Sequence, residues 1–365
     1  SGTGADRRCT TFYDHCIARV ARLVGADREG IVSLSMNDSL PRYSIIVPAY
    51  HEAHRIGDCV RALVDQSIAR SDYEIIVIDD ASSDDTGAVA QANGADAVHR
   101  IDHGGASAAR NAGLARARGD LVLFTDADCT PSREWIERMV APFLDPDIVG
   151  AKGTYRSRQK SLVARLVQLE FEVRYERMAT LPEIDFIDTY AAAYRRSVLD
   201  KEGGFDTEYP VPSAEDVDLS FRLAEKGYRM VFVPDAWVWH VHPTSLIAYL
   251  KRKMRFGYWR ALLYIRYPNK ISGDAHTDPL LKPQFALVAL IGLLAAAALF
   301  YRPLWIGAAV ALLAFCLTTV PFVRWAWPRD RAVALAWPVV AFLRVLLQGV
   351  ALAAGLLSNL VSDGS

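Results

Sequence analysis

No Cys-x-x-Cys pair occurs in this chain, and its five cysteines, Cys9, Cys16, Cys59, Cys129 and Cys316, are scattered. That spacing argues against a disulfide framework or a zinc site, and a reducing, cytosol-facing compartment suits it better. Net charge is almost absent: 41 Lys and Arg stand against 42 Asp and Glu, a formal −1. No nucleic-acid partner of the broadly basic kind is therefore expected. The first residues are polar and hold no apolar core, so no signal peptide is expected. Long apolar runs are missing up to about residue 280 and abundant after it.

Hydrophobic residues fill 52% of the 365 positions, and mean hydropathy is +0.11, greasier than most soluble enzymes. The length suggests about two units. After Pro283, segments at 284–301, 304–323 and 333–357 each approach the ~20 apolar residues of a bilayer span. Arg344 and Gln348 interrupt the third; in a membrane such residues face a protein interior or reach a headgroup. Basic residues precede the first span at 251–260 and separate the second from the third at Arg324, Arg329 and Arg331, whereas Arg302 alone lies between the first and second. That asymmetry puts the large domain on the cytoplasmic side of a multi-pass cytoplasmic-membrane protein. Residues 251–264 interleave Lys and Arg with Met254, Phe256, Tyr258, Trp259 and Leu263, which suits a helix lying among lipid headgroups. Residues 10–25 carry a helical pattern of their own, in an N-terminal helical segment at 1–40.

Between these ends, strand patterns at 43–47, 75–78, 97–100 and 121–124 alternate with helical patterns at 55–69, 84–93 and 105–117. Continuously apolar strands separated by helices imply an α/β fold with a mostly parallel sheet covered on both faces. Ligands of such sheets gather beyond the carboxyl ends of the strands, and there lie Tyr50 to Glu52, Asp79 and Asp80, and Asp126 to Asp128. A helix at 161–178, a strand at 185–194, a break at Gly203-Gly204, a helix at 215–226 and strands at 231–233 and 237–240 follow.

Asp126-Ala-Asp128 directly follows its strand. Two carboxylates one residue apart can both approach one hard cation, Mg²⁺ or Mn²⁺, which would neutralise a diphosphate. At Asp79-Asp80 a carboxylate can accept a hydrogen bond from a nucleobase, while Ser82 and Ser83 suit capping of the next helix. Glu215-Asp216 opens a helix, where acids stabilise the dipole and one of them can take a proton from an acceptor hydroxyl. His240 and His242 alternate along a strand and share a face, with His240 the better placed for a metal or phosphate. Arg110 follows Gly104-Gly105, and a guanidinium beside a glycine turn suits a phosphate or base.

In order along the chain, these stretches resemble glycosyltransferase family 2, which has the GT-A fold. The resemblance rests on Ser44-Ile-Ile-Val-Pro-Ala-Tyr-His-Glu52, Ile78-Asp-Asp-Ala-Ser-Ser-Asp-Asp-Thr86, Gly105-Ala-Ser-Ala-Ala-Arg-Asn-Ala-Gly113 and Asp126-Ala-Asp128. It continues through Gly203-Gly-Phe-Asp206 and Glu215-Asp-Val-Asp-Leu-Ser-Phe-Arg222, covering about 42–245. It implies a nucleoside pocket at Pro48, Tyr50, Glu52 and Asp80, with Arg110 near base or phosphate. Asp126 would meet ribose or metal, Asp128 and His240 would bind the metal, and Asp216 would be the base, with Glu215 positioning the acceptor. His242, Arg255 and Trp259 would contact the acceptor or its phosphate. Processive relatives carry Gln-x-x-Arg-Trp on an interfacial helix; here Arg255-Phe-Gly-Tyr-Trp259 lacks it.

The layout expected is a GT-A domain at 41–245, an interfacial segment at 246–282 and about three transmembrane helices at 283–360. The function implied is metal-dependent, inverting transfer from a UDP- or GDP-sugar to a lipid-linked or membrane-associated acceptor among membrane lipids. The alternatives are a processive polysaccharide synthase and a non-catalytic sugar-nucleotide-binding protein.

Overall fold

The computed structural model describes residues 41–209, 214–275 and 277–362; the helical segment expected at 1–40 lies outside them. The chain opens with β1 (Tyr43–Ala49), α1 (Ile56–Val64), β2 (Tyr73–Asp79), α2 (Thr86–Ala92), β3 (Ala97–Arg100), α3 (Gly105–Leu114) and β4 (Leu121–Phe124). The middle holds β5 (Thr130–Pro131), α4 (Trp135–Val140), β6 (Ile148–Arg156), α5 (Leu162–Met178), β7 (Ala192–Arg195) and α6 (Arg196–Glu202). Then come α7 (Glu215–Glu225), β8 (Arg229–Trp239), α8 (Leu246–Arg266), α9 (Leu281–Ala297), α10 (Leu304–Ala326) and α11 (Arg331–Ser362).

The strands form one mixed sheet in the order β3-β2-β1-β4-β7-β6-β8-β5. Strands β3, β2, β1 and β4 run parallel, and β6 runs parallel to β8. β7 is antiparallel to both neighbours, and β5 to β8. Alternation along β1 divides the core: Ile45 and Val47 join one apolar cluster, Ile46 the other. A strand buried on both faces in this way needs the unbroken apolar run that the sequence has.

Three local expectations change. The strand expected at 185–194 is confined to Ala192–Arg195, preceded by a 3₁₀ turn at Thr189–Ala191. The runs at 231–233 and 237–239 belong to one strand, β8, with a register shift between the partners of Lys152 and Thr154; His240 and His242, expected to alternate along a strand, lie beyond its end. Pro234 lies in that irregular stretch, where its missing N–H is tolerated, so it does not end the strand. β6 had no counterpart in the sequence reading, because Gly150, Lys152 and Gly153 blunt its strand signal.

In the tail, α10 and α11 are long and apolar enough to cross a membrane. α9 has 17 residues, a rise of ~25 Å against ~30 Å of bilayer hydrocarbon; the apolar segment continues past it into a turn. Leu293, Ile306, Leu313 and Leu335 are among many exposed apolar side chains here, an outer surface that suits lipid. The turn between α10 and α11 is fastened to α5: Arg165 Nε donates to Asp330 at 2.6 Å, and Trp325 Nε1 donates to Glu176 at 2.6 Å. α8 lies directly on α11. A Cβ on Gly257 would stand 2.4 Å from the Gln348 carbonyl oxygen, and one on Gly355 would stand 2.4 Å from that of Tyr258. Only glycine allows so close an approach at these two points.

Candidate active site

The carboxyl ends of β1, β2 and β4 meet on one rim. β1 exits through Tyr50, an exposed ring 4.1 Å from His51 and 4.6 Å from His103. His51 adopts a left-handed backbone at φ 55, and its N–H donates to Ser82 Oγ at 2.9 Å. Glu52 N–H donates to Thr86 Oγ1 at 2.9 Å. The exits of β1 and β2 are thereby stitched together, with Pro48 half-buried just inside. Asp80, buried beyond β2, accepts from Gly104 N–H at 2.8 Å and Gly105 N–H at 2.9 Å. Its carboxylate fixes the start of α3, the helix that carries Arg110.

Arg110 is the hub of the rim. It is buried, and it donates to Glu215 Oε1 at 2.9 Å and to Asp126 Oδ1 at 3.2 Å. One guanidinium thus joins the end of β4 to the first turn of α7, two places 89 residues apart in sequence by Asp126 and Glu215. Burial pushes the Asp126 carboxyl above its ordinary range, with Arg110 opposing. Asp128 faces other partners: His240 Nδ1 lies 3.4 Å away and Arg55 Nη1 3.7 Å away. Burial raises the Asp128 carboxyl too, but the hydrogen bond and charge of His240, with Arg55, outweigh it and leave the group below its usual range. Arg55 also approaches Glu52 at 3.7 Å, so it sits between two acids where a cation would be welcome.

Asp128, Cys129 and His240 bring one ligand atom each within 4.8 Å of one another. A carboxylate oxygen and an imidazole nitrogen so close together fit a divalent cation such as Mn²⁺. The buried Cys129 thiol is pushed well above its ordinary value, first by burial and then by Asp128 and Asp126. The His240 ring is held by stacking 4.2 Å above Tyr155. The two acids of Asp126-Ala-Asp128 are divided in this structure, one bound to Arg110 and the other to His240.

Asp216 follows Glu215 at the start of α7. Burial drives its carboxyl well above the ordinary range, Glu215 and Asp188 add to the shift, and Arg110 opposes it. Asp188 and its partner Lys152 escaped the sequence reading. Lys152 is fully buried, bonds to the Asp188 carboxylate, and lies 3.2 Å from Tyr190 Oη. A lysine inside an apolar strand nearly always has a buried counter-ion, which was the available signal.

A cavity of about 240 Å³ opens among Arg110, Asp126, Asp188, Glu215 and Asp216 and extends to Arg344 and Leu352 of α11. Glu215 and Asp216 line it, but His242, Arg255 and Trp259, expected to contact the acceptor or its phosphate, do not. His242 is buried, its Nε2 lies 3.0 Å from Gln168 Oε1, and burial holds its pKa down to about 3, so the ring is neutral. Arg255 is exposed to solvent on α8. Trp259 packs against Tyr209, with ring centroids 5.9 Å apart. The cavity is met instead by Arg252, Lys253, Phe256 and Arg260 of the same helix. Helical phase separates the two sets, and that phase becomes readable only when the partner α11 is known.

A family model described as "Glycosyltransferase like family 2" matches residues 41–258. The chain belongs to this family. It is 32% identical over 259 residues to the pre-mycofactocin glycosyltransferase of Mycobacterium tuberculosis, covering 68% of this chain and 52% of that protein. It is 27% identical to glycosyltransferase AglE of Haloferax volcanii, covering 61% and 74% respectively. The chain thus spans about half the length of the mycobacterial relative. Among solved structures it is similar to the mannosyltransferase PcManGT of Pyrobaculum calidifontis, at a TM-score of 0.56 and 21% identity, covering 96% of this chain and 97% of that one. This likeness supports the GT-A fold of the family 2 domain.

Proposed function

We propose that this chain transfers a sugar, with inversion, from a nucleotide-sugar to an acceptor that reaches the site from the membrane. The observation that carries the proposal is a cavity lined both by Asp216 and by residues of the apolar helix α11. On the donor side, the nucleoside would lie along Pro48, Tyr50, Glu52 and Asp80, with its diphosphate toward Arg110 and Asp126. PcManGT was solved with GDP-Man and Mn²⁺, which supports a nucleotide-sugar and a divalent cation here. Asp128 and His240 would hold that cation, with Asp126 able to turn to it from Arg110. When bound, it would neutralise the departing nucleoside diphosphate.

The chain's own groups supply the rest. Asp216, its proton affinity raised by burial, takes the acceptor's hydroxyl proton. The acceptor oxygen bonds to the anomeric carbon as the bond to the diphosphate breaks, which inverts that carbon. Arg110 ties Glu215, the neighbour of Asp216, to Asp126, which would keep the base close to the donor's diphosphate. The α10–α11 turn lies on the catalytic-domain side, in keeping with a cytoplasmic domain and membrane-crossing tail helices. The domain limits at 41–245, 246–282 and 283–360 follow from the same reading.

The test is a screen of nucleotide-sugars against membrane lipid extract with Mg²⁺ or Mn²⁺, with products weighed by mass spectrometry. A lipid heavier by one sugar supports the proposal. A ladder of masses would point to a polymerase, and donor hydrolysis with no heavier acceptor would reject transfer.

A further inference from the structure

The charges along the cavity are segregated. Asp126, Asp188, Glu215 and Asp216 crowd one end around Arg110. The other charged residues of the lining are Arg174, Arg252, Lys253, Arg260 and Arg344, with Glu170 and Asp278. Glu170 is shared: Lys253 Nζ lies 3.2 Å and Arg344 Nη1 2.7 Å from its two oxygens. One carboxylate therefore serves two cations. Burial raises the Glu170 carboxyl, but Lys253, Arg344 and Arg174 together hold it down at about 2. Burial holds Lys253 at about 8, with Glu170 opposing.

Arg252 makes no ion pair among the described residues; its guanidinium lies over Phe256, 5.4 Å from the ring centre. Arg344 is 6% exposed, and its Nε is buried with no hydrogen-bond partner among the described residues. The Tyr249 hydroxyl, on the same wall, is buried without one as well. Glu170 Oε2 beside them is likewise buried without a hydrogen bond, and polar atoms orphaned in this way are costly unless a ligand completes them. Past them the wall becomes apolar at Leu281, Phe285 and Leu352.

We propose that this end of the cavity is a phosphate subsite for the acceptor. Arg252, Lys253 and Arg344 would hold the phosphate or diphosphate that joins an acceptor sugar to its lipid, while the sugar hydroxyl faces Asp216. The proposal rests on the transferase reading above. In this reading the nucleophile is the sugar hydroxyl that faces Asp216, and the phosphate serves to hold the acceptor. Lipid passing beyond the phosphate meets the apolar wall of α9 and α11.

The test uses the full chain in detergent micelles, with three probes: a polyprenyl diphosphate, the polyprenol of equal length, and inorganic pyrophosphate. The wild type is expected to bind the polyprenyl diphosphate at least about tenfold tighter than the polyprenol, as charge-assisted hydrogen bonds imply. Arg252→Gln should erase that ratio and Arg252→Lys should retain most of it. Since Arg252 carries no ion pair among the described residues, its loss should leave the thermal midpoint nearly unchanged. Pyrophosphate binding as tightly as the lipid, and through Arg252, would support the subsite and assign it to a soluble phosphate ester. Equal binding of diphosphate and polyprenol, or a ratio unmoved by Arg252→Gln, would overturn the subsite. Nucleotide-sugar turnover is followed in parallel. Turnover without any phosphate preference would sink the subsite alone; phosphate binding through Arg252 without turnover of any nucleotide-sugar would sink the transferase reading.

Discussion

Removing Arg110 should damage the fold as well as the chemistry, and the two can be separated. Its guanidinium is buried and holds Glu215 at 2.9 Å and Asp126 at 3.2 Å. Arg110→Met takes the guanidinium from the buried Glu215 carboxylate, and breaking such a pair from one side costs about 3–5 kcal/mol. Two features favour the lower end. Glu215 Oε2 still accepts the Ala214 N–H at 3.1 Å, and the Asp126 side chain is 32% exposed, so water can take over part of its solvation. About 3 kcal/mol corresponds to a fall of roughly 6–12 °C in the thermal midpoint for a domain of this size. Tryptophan fluorescence during heating of the full chain would read it. Adding Glu215→Gln removes the stranded charge, so the double variant should recover at least half the loss while transfer stays impaired. A fall below about 2 °C in Arg110→Met, or no recovery in the double variant, would refute the role of Arg110 as the hub.

Three further outcomes follow from other contacts. Glu170, held at about 2 against an ordinary 4.5, contributes stability that is complete above pH 4.5 and lost as pH falls toward 2. Glu170→Gln should therefore cost on the order of 3 kcal/mol at pH 7, with the midpoints of wild type and variant converging on acidification. Gly257→Val would drive a side chain into the Gln348 carbonyl, costing about 1–3 kcal/mol and prising α8 from α11; unchanged thermal unfolding would contradict that packing. Asp128→Asn should weaken Mn²⁺ binding by at least about tenfold, or about 1.4 kcal/mol, in an electron paramagnetic resonance titration, whereas an unaltered isotherm would remove Asp128 from the metal site.

The sheet was legible because its strands obey local rules. In the run at 43–47, Ile45 and Val47 feed one layer and Ile46 the other, while buried Ser44 donates to Glu74 at 2.6 Å. β6 was hidden by its glycines and by Lys152, whose place inside a strand makes sense only beside Asp188. The acids at the strand ends were legible as a set, but their partners were not. That Asp126 meets Arg110 while Asp128 meets His240 depends on chain segments brought together only by folding. The basic helix was visible, yet Arg255 drew the eye where Arg252 faces the cavity, a difference of less than one helical turn.

The most direct measurement of the central claim is single-turnover transfer by wild type and Asp216→Asn, each saturated with the nucleotide-sugar identified by the screen and the acceptor lipid. Loss of the base should slow transfer about 10²–10⁴-fold with donor affinity unchanged. The wild-type rate should also fall as pH drops through a pKa above the ordinary carboxylate range, because burial raises the Asp216 carboxyl and only its ionised form can accept the proton. Transfer by Asp216→Asn at the wild-type rate, with the same acid limb, would contradict the account.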